Sequence, residues 1–259
     1  MTKQAKPLIL VTNDDSIIAP GIRTLIRIMN TLGEVVVVAP DSPQSGMGHA
    51  ITIHDTLRCL PAQQDAGPQT EYACSGTPVD CVKLAVHEIL DRTPDLIVSG
   101  INHGSNASVN VIYSGTMSAA VEGAMQRVPS IGFSLLDYSW DADFSAAEPF
   151  IKQIASSVLE KGLPAGVCLN VNIPKANGTP YAGIKVCRQT MGHWEEDFDK
   201  RIDPTGKPYY WMRGEFVDSD GGDDSDIWAL NHHYLSVVPI QFDLTAHHAL
   251  AAVHSVIGA

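Results

Sequence analysis

The sequence predicts an α/β fold: a mostly parallel sheet with helices on both faces, carrying a projecting β-hairpin arm and a C-terminal tail. Three observations lead there. Short, nearly continuous apolar runs alternate with amphipathic stretches of helical period. The first strand–helix–strand unit spans just over 30 residues, the length of a βαβ unit. From about Met191 the alternation gives way to aromatics mixed with carboxylates.

The elements follow in order. Pro7 to Thr12 (PLILVT) reads as a strand buried on both faces. Ile22, Leu25, Ile26, Met29 and Leu32 then recur at helical spacing, with Pro20 suited to the first turn and Gly33 closing the helix. Glu34 to Ala39 is the next strand. An inserted antiparallel pair is expected at Ile51 to Leu60 and Glu71 to Ser75. Val79, Val82, Val86, Ile89 and Leu90 mark a helix, and Asp95 to Ser99 a strand. Thr116 to Arg127 is a helix of small residues, followed by a strand at Ser130 to Leu135. Ile151 to Leu159 is helical up to Gly162 and Pro164, and Val167 to Ile173 is another strand. Between Met191 and Asp226 no helix period survives, and Pro204-Thr205-Gly206 reads as the turn of a hairpin. Tyr234 to Ile240 returns as a strand, and Thr245 to Ile257 as a terminal helix. The boundary between core (1–190) and arm with tail (191–259) falls where the pattern changes.

Composition limits the function. At 259 residues, 44% hydrophobic and 18% charged, the chain can bury a large core and is not of disordered type. The 29 acidic against 17 basic side chains give −12, which argues against a duplex DNA surface. Residues 193–226 hold 11 of those carboxylates and 4 of the bases, so the acidity (−7 of −12) belongs mainly to the arm. No apolar run of 18 residues occurs, so no membrane-spanning helix is expected. Met1 to Lys6 is polar and lacks a signal core, which predicts a cytoplasmic protein. The five cysteines are widely spaced without a C-x-x-C pair; they read as packing residues, not as a zinc site or disulfide framework.

Ligands of an open parallel sheet bind beyond the carboxyl ends of its strands. Three such segments are rich in oxygen ligands: Asn13-Asp14-Asp15, Asp41 to Gly48, and Gly100 to Gly115. Adjacent Asp14 and Asp15 would repel in a dry pocket, and a hard divalent cation relieves that repulsion. A helix cap or Asx-turn at the same residues is the plainer alternative. Tyr113-Ser114-Gly115-Thr116 opens a helix, so its hydroxyls and backbone N–H groups form a candidate anion site; an ordinary N-cap is the alternative there. No G-x-G-x-x-G, Walker A or G-x-S-x-G pattern is present. Among the histidines only His103 lies inside one of the three segments.

Five ordered segments carry a family resemblance. They are Asn13-Asp14-Asp15; Ala39-Pro40 with Ser45-Gly46; Ser75-Gly76-Thr77-Pro78-Val79-Asp80-Cys81-Val82; Ser99 to Asn106 (SGINHGSN); and Tyr113-Ser114-Gly115-Thr116 through Ala119-Ala120-Val121-Glu122-Gly123. Together, and with Tyr234 to Pro239, they resemble the SurE family, metal-dependent 5′/3′-nucleotidases. Two positions depart from its pattern: Ser16 stands where the family has glycine after N-D-D, and Met117 where it has valine.

The resemblance implies a Rossmann-like catalytic core over 1–190. One divalent cation, Mg²⁺ or Mn²⁺, would be held by Asp14, Asp15, Ser45 and Asn102. Asn106, Ser114, Gly115 and Thr116 would hold the phosphoryl oxygens. The substrate would be a nucleoside monophosphate, hydrolysed by in-line attack of a metal-activated water, with Asp14 and Asp15 catalytic and Asp15 the candidate base. Segment 191–259 would exchange between subunits in a homodimer or homotetramer; the alternative is that its aromatics fold back on their own subunit. Two other functions stay open: a non-enzymatic nucleotide-binding regulatory module, and an aspartyl-phosphate phosphatase of haloacid-dehalogenase type. The latter uses carboxylates two residues apart, whereas Asp14 and Asp15 are adjacent.

Overall fold

The structure is a computed structural model and describes residues 6–258; the polar start, Met1 to Ala5, lies outside them. Strand β1 (Leu8–Thr12) is buried at every residue because it runs through the middle of the sheet. Helix α1 (Pro20–Met29) follows, burying Ile22, Leu25, Ile26 and Met29, and β2 (Glu34–Pro40) returns parallel to β1. Edge strand β3 (Cys59–Ala62) pairs antiparallel with β4 (Thr70–Cys74), which lies parallel to β2. Helix α2 (Pro78–Leu84) leads to β5 (Leu96–His103), parallel to β1 on its other side. Helix α3 (Gly115–Met125), β6 (Ser130–Leu135), α4 (Glu148–Lys161) and β7 (Val167–Ile173) complete the alternation.

Beyond β7 come β8 (Gly183–Val186), the hairpin strands β9 (Gly192–Ile202) and β10 (Pro208–Asp218), α5 (Asp226–Asn231), β11 (Tyr234–Gln241) and α6 (Leu250–Ile257). The nine-stranded sheet has the order β3-β4-β2-β1-β5-β6-β7-β11-β8, antiparallel only at β3/β4 and β7/β11. On one face α1 and α4 enclose the main core around Ile9, Leu25, Phe133 and Ile151. On the other, α2 and α3 cover Leu10, Val38, Ile97 and Cys74. The α/β architecture with a separate two-stranded hairpin is therefore as the sequence predicts.

Three local elements differ from the sequence expectation. The first inserted strand is Cys59–Ala62, not Ile51 to Leu60. Thr52 instead gives its backbone N–H (3.0 Å) and hydroxyl (2.6 Å) to the Asp80 carboxylate, so a side chain takes the place of a neighbouring strand. The helix expected to run to Leu90 stops being α-helical at Leu84 and widens into a π-helical turn, Ala85–Ile89. Strand β8 and helix α5, unannounced in the sequence, are four and six residues long, too short to display a period.

Candidate active site

Parallel pairing of β1 with β2 and β5 brings the ends of these strands to one edge of the sheet. The loop after β2 is tied to the loop after β1 by Gln44 N–H, which donates to the Asp14 carbonyl at 2.7 Å. It is tied to the α3 entry by Gly48 N–H, on the Tyr113 carbonyl at 3.3 Å. Asp14, Ser45, Asn102, Asn106 and Ser114 thereby line one cleft of about 250 Å³, together with His103, Tyr138 and Trp194. A neighbouring apolar compartment of about 490 Å³ shares Asn110, Tyr113 and Trp194 and adds Glu196, Met212 and Arg213. A larger cleft, about 580 Å³, opens at the opposite end of β6 and β7; Arg127 is its single charged side chain and it holds no carboxylate or hydroxyl.

Asp14 is 4% exposed. Burial, reinforced by the neighbouring Asp15 charge, pushes its carboxyl up to about 6. Burial also raises Asp15, against the pull of the His103 N–H, which donates to Asp15 Oδ2 at 3.1 Å. Thr116 counteracts the rise at Asp14 by giving it both its hydroxyl and its backbone N–H. Gly115 packs against the same carboxylate: a Cβ there would lie 2.8 Å from Asp14 Cβ and 2.9 Å from its Oδ2. Only glycine lets the start of α3 approach Asp14 this closely.

Ser114 is the N-cap of α3, accepting from Met117 N–H at 3.0 Å, so the plainer sequence reading describes its acceptor side. Its hydroxyl hydrogen stays available to a ligand. The Thr116 side chain, expected among the phosphate ligands, turns to Asp14 instead, because the carboxylate is the strongest acceptor within its reach.

Asn106 rests on a buried polar network that goes beyond the residues expected from the sequence. Its Nδ2 donates to Ser134 Oγ, its N–H to Asn172 Oδ1, and its carbonyl accepts from Asn170 Nδ2, each at 2.8 Å. Asn172 Nδ2 in turn donates to Asn170 Oδ1 at 2.8 Å. The alternation N-V-N in β7 puts both amides on one face and was the signal to read. Trp194 reaches the cleft from the hairpin, its Nε1 donating to Asn110 Oδ1 at 2.8 Å.

The lining fits a hard divalent cation through the Asp14 carboxylate, an amide (Asn102) and a hydroxyl (Ser45). Asp15, next in the chain, is not part of the lining, and its Oδ2 is held by the His103 N–H. Asn13 Oδ1, one residue before Asp14, is also buried with no hydrogen-bond partner. No three His, Cys, Asp or Glu side chains converge as a metal site among the described residues, so the amide and hydroxyl donors would be needed to complete the shell.

With that geometry in hand, a family model described as survival protein SurE matches residues 9–196. The chain belongs to the SurE family. A 5′-nucleotidase SurE of Flavobacterium psychrophilum is 63% identical over 251 residues, covering 97% of this chain and 98% of that protein. A 5′-nucleotidase SurE of Chlorobaculum tepidum is 46% identical over 246 residues, covering 95% and 93%. The crystal structure of the SurE protein from Aquifex aeolicus superposes with a TM-score of 0.83 at 38% identity, over 97% of this chain and all of that one. The SurE match spans β1 through the first strand of the hairpin, and so takes in every residue assigned above to the cleft's polar end.

Proposed function

We propose that this protein is a nucleotidase, a phosphoric monoester hydrolase releasing phosphate from nucleoside 5′- and 3′-monophosphates. The observation that carries the reading is buried Asp14 meeting the Ser114–Gly115 end of α3 at one small cleft, with Ser45, Asn102 and Asn106 in the same lining. Its support is near full-length similarity to proteins named 5′-nucleotidase SurE.

Asp14, Asp15, Ser45 and Asn102 would hold one Mg²⁺ or Mn²⁺. When bound, the cation neutralises phosphoryl charge and lowers the pKa of water. The chain's own groups do the rest. Asn106, the Ser114 hydroxyl and the Gly115 N–H donate to phosphoryl oxygens, where one donor is worth about 2.7–4 kcal/mol in comparable sites. Thr116 acts as a positioning residue, fixing the Asp14 carboxylate. Asp15, less buried than Asp14 and raised above its ordinary value by burial, is the candidate base for the attacking water. Tyr113, Trp194 and Met212 offer an apolar wall for the nucleoside next to the polar end.

A homodimer or homotetramer built through the arm and tail is part of this reading. Tyr210, Trp211, Met212, Leu250, Val253, Val256 and Ile257 are all exposed on one chain. So is a cytoplasmic location, to which five free thiols are suited; no helix among the described residues is long and apolar enough to cross a membrane.

The test is phosphate release from nucleoside monophosphates. It should require Mg²⁺ or Mn²⁺, stop with chelator, and fall about 100-fold or more in Asp14→Asn. Nucleotide binding without metal-dependent release would instead make the chain a regulatory module. A trapped phospho-aspartate would move it to haloacid-dehalogenase chemistry.

A further inference from the structure

Three of the five cysteines gather on the α2 side of the sheet, at its outer edge. Cys59 in β3 and Cys74 in β4 are direct register partners. The flanking bond runs from Ser75 N–H to the Arg58 carbonyl at 2.8 Å, which makes Cys59–Cys74 a pair without hydrogen bonds between its own backbones. In such a pair the Cα atoms lie about 4.5 Å apart with side chains on one face, inside the range a disulfide bridges. Cys81, in α2, packs into the same cluster. Cys59 is half-buried, whereas Cys74 and Cys81 are wholly buried. All three are free thiols.

The pair also touches the loop that carries Ser45. The Cys74 carbonyl accepts from Asp41 N–H at 2.8 Å, the first bond of that loop after β2. We propose that Cys59 and Cys74 form a reversible disulfide under peroxide, a redox modification site that clamps edge strand β3 onto β4 and stiffens the Asp41 end of the Ser45 loop. This does not depend on the nucleotidase reading.

The chemistry balances. Hydrogen peroxide oxidises Cys59, the least buried of the three, to a sulfenic acid and releases one water. Cys74 then attacks the Cys59 sulfur, the S–S bond forms, and hydroxide leaves with the Cys74 proton as a second water. Hydrogen bonding from Cys81, against the opposing effect of burial, brings the Cys74 thiol down to about 7, which suits a resolving nucleophile at neutral pH. Burial, with the neighbouring Cys74 sulfur, holds the Cys59 thiol up at about 11, so this first oxidation is slow and needs excess peroxide, while Cys74 resolves it quickly.

The experiment is thiol mapping of the intact protein treated with hydrogen peroxide, then denatured and labelled with maleimide. Trypsin leaves residues 59–83 as one peptide, since no Lys or Arg lies between Arg58 and Lys83. That peptide should carry one label, at Cys81, instead of three, and regain three after dithiothreitol. Cleavage after Glu71 and before Asp80 then separates the three cysteines and should show Cys59 joined to Cys74. In Cys59→Ser the same peptide should keep both labels after peroxide. Hydrogen exchange at the Asp41 amide should slow in the oxidised wild type only. Three labels on peptide 59–83, under peroxide that has converted exposed Met191 to sulfoxide, would overturn the site. A Cys74–Cys81 link would overturn the pairing, and unchanged Asp41 exchange would overturn the coupling to the loop.

Discussion

Ser16 adopts φ +86° while almost fully buried, in the loop that aims Asp14 and Asp15. A side chain in the left-handed region costs about 1–2 kcal/mol. The Ser16 carbonyl is held by Asn13 Nδ2 at 2.8 Å, so the turn is kept by its neighbours and not by its own preference. Ser16→Gly removes the strain but adds about 0.4–1 kcal/mol of unfolded-state entropy. A net gain of roughly 0.5 kcal/mol is expected, read as a higher urea midpoint at unchanged slope. Thr116 offers a sharper test of the cleft. Thr116→Val keeps the shape and removes the hydroxyl from Asp14. Metal half-saturation of phosphate release should weaken about 10–100-fold, as for other residues that orient a ligand. Unchanged metal dependence would show that Asp14 does not need Thr116. The adjacency of Asp14 and Asp15 was legible in the sequence. The turning of Thr116 toward Asp14 was not, because it depends on how closely α3 meets β1.

Helix α3 is held at both ends by polar contacts that a hydrophobic period does not encode. Its N-terminus abuts Asp14, and buried Glu122 anchors its C-terminal half to α2 and to the loop after β2. Glu122 accepts from His49 Nε2 at 3.2 Å, Lys83 Nζ at 2.8 Å and Gln126 Nε2 at 2.8 Å. Burial alone would raise this carboxyl; the three partners outweigh it and hold it at about 2, below its ordinary 4.5. A depressed value means the stabilisation is complete above about 4.5 and is lost as pH falls toward 2. Glu122→Ala should cost about 1–3 kcal/mol at pH 7. The gap between variant and wild type in urea melts should narrow steadily between pH 4.5 and pH 2. A pH-independent gap would assign the loss to packing alone. The segment Ile51 to Arg58 makes the same point about elements. Its apolar residues suggested a strand, but the capping box of α2, in which Asp80 accepts from Thr77 N–H at 2.9 Å, also captures Thr52.

Across the whole molecule, the net charge and the exposed aromatics both concentrate in the part that leaves the sheet. Hairpin β9–β10 carries Trp194 and Phe216 in edge-to-face contact at its base, 5.9 Å between centroids, while Tyr210 and Trp211 face solvent. None of the residues of α6 is buried. Light scattering should give a mass of two or four chains. Replacing Tyr210 and Trp211 by serine should shift it toward one chain, leaving the far-ultraviolet circular dichroism unchanged. A wild-type monomer would refute exchange of the arm and tail.

The sequence by itself determined the alternation of buried strands and amphipathic helices, the oxygen-rich loops at one edge of the sheet, and the family. These are properties of short windows: apolar period, glycine and proline punctuation, and ordered motifs. The tertiary structure decided what depends on residues far apart in the chain. It set Asn170 and Asn172 beneath Asn106, turned Thr116 to Asp14, and brought Trp194 over the cleft from the hairpin. It also brought together Cys59, Cys74 and Cys81, whose spacing had read as that of isolated packing residues. Strand register and helix docking fix these contacts, and both are set by the core as a whole.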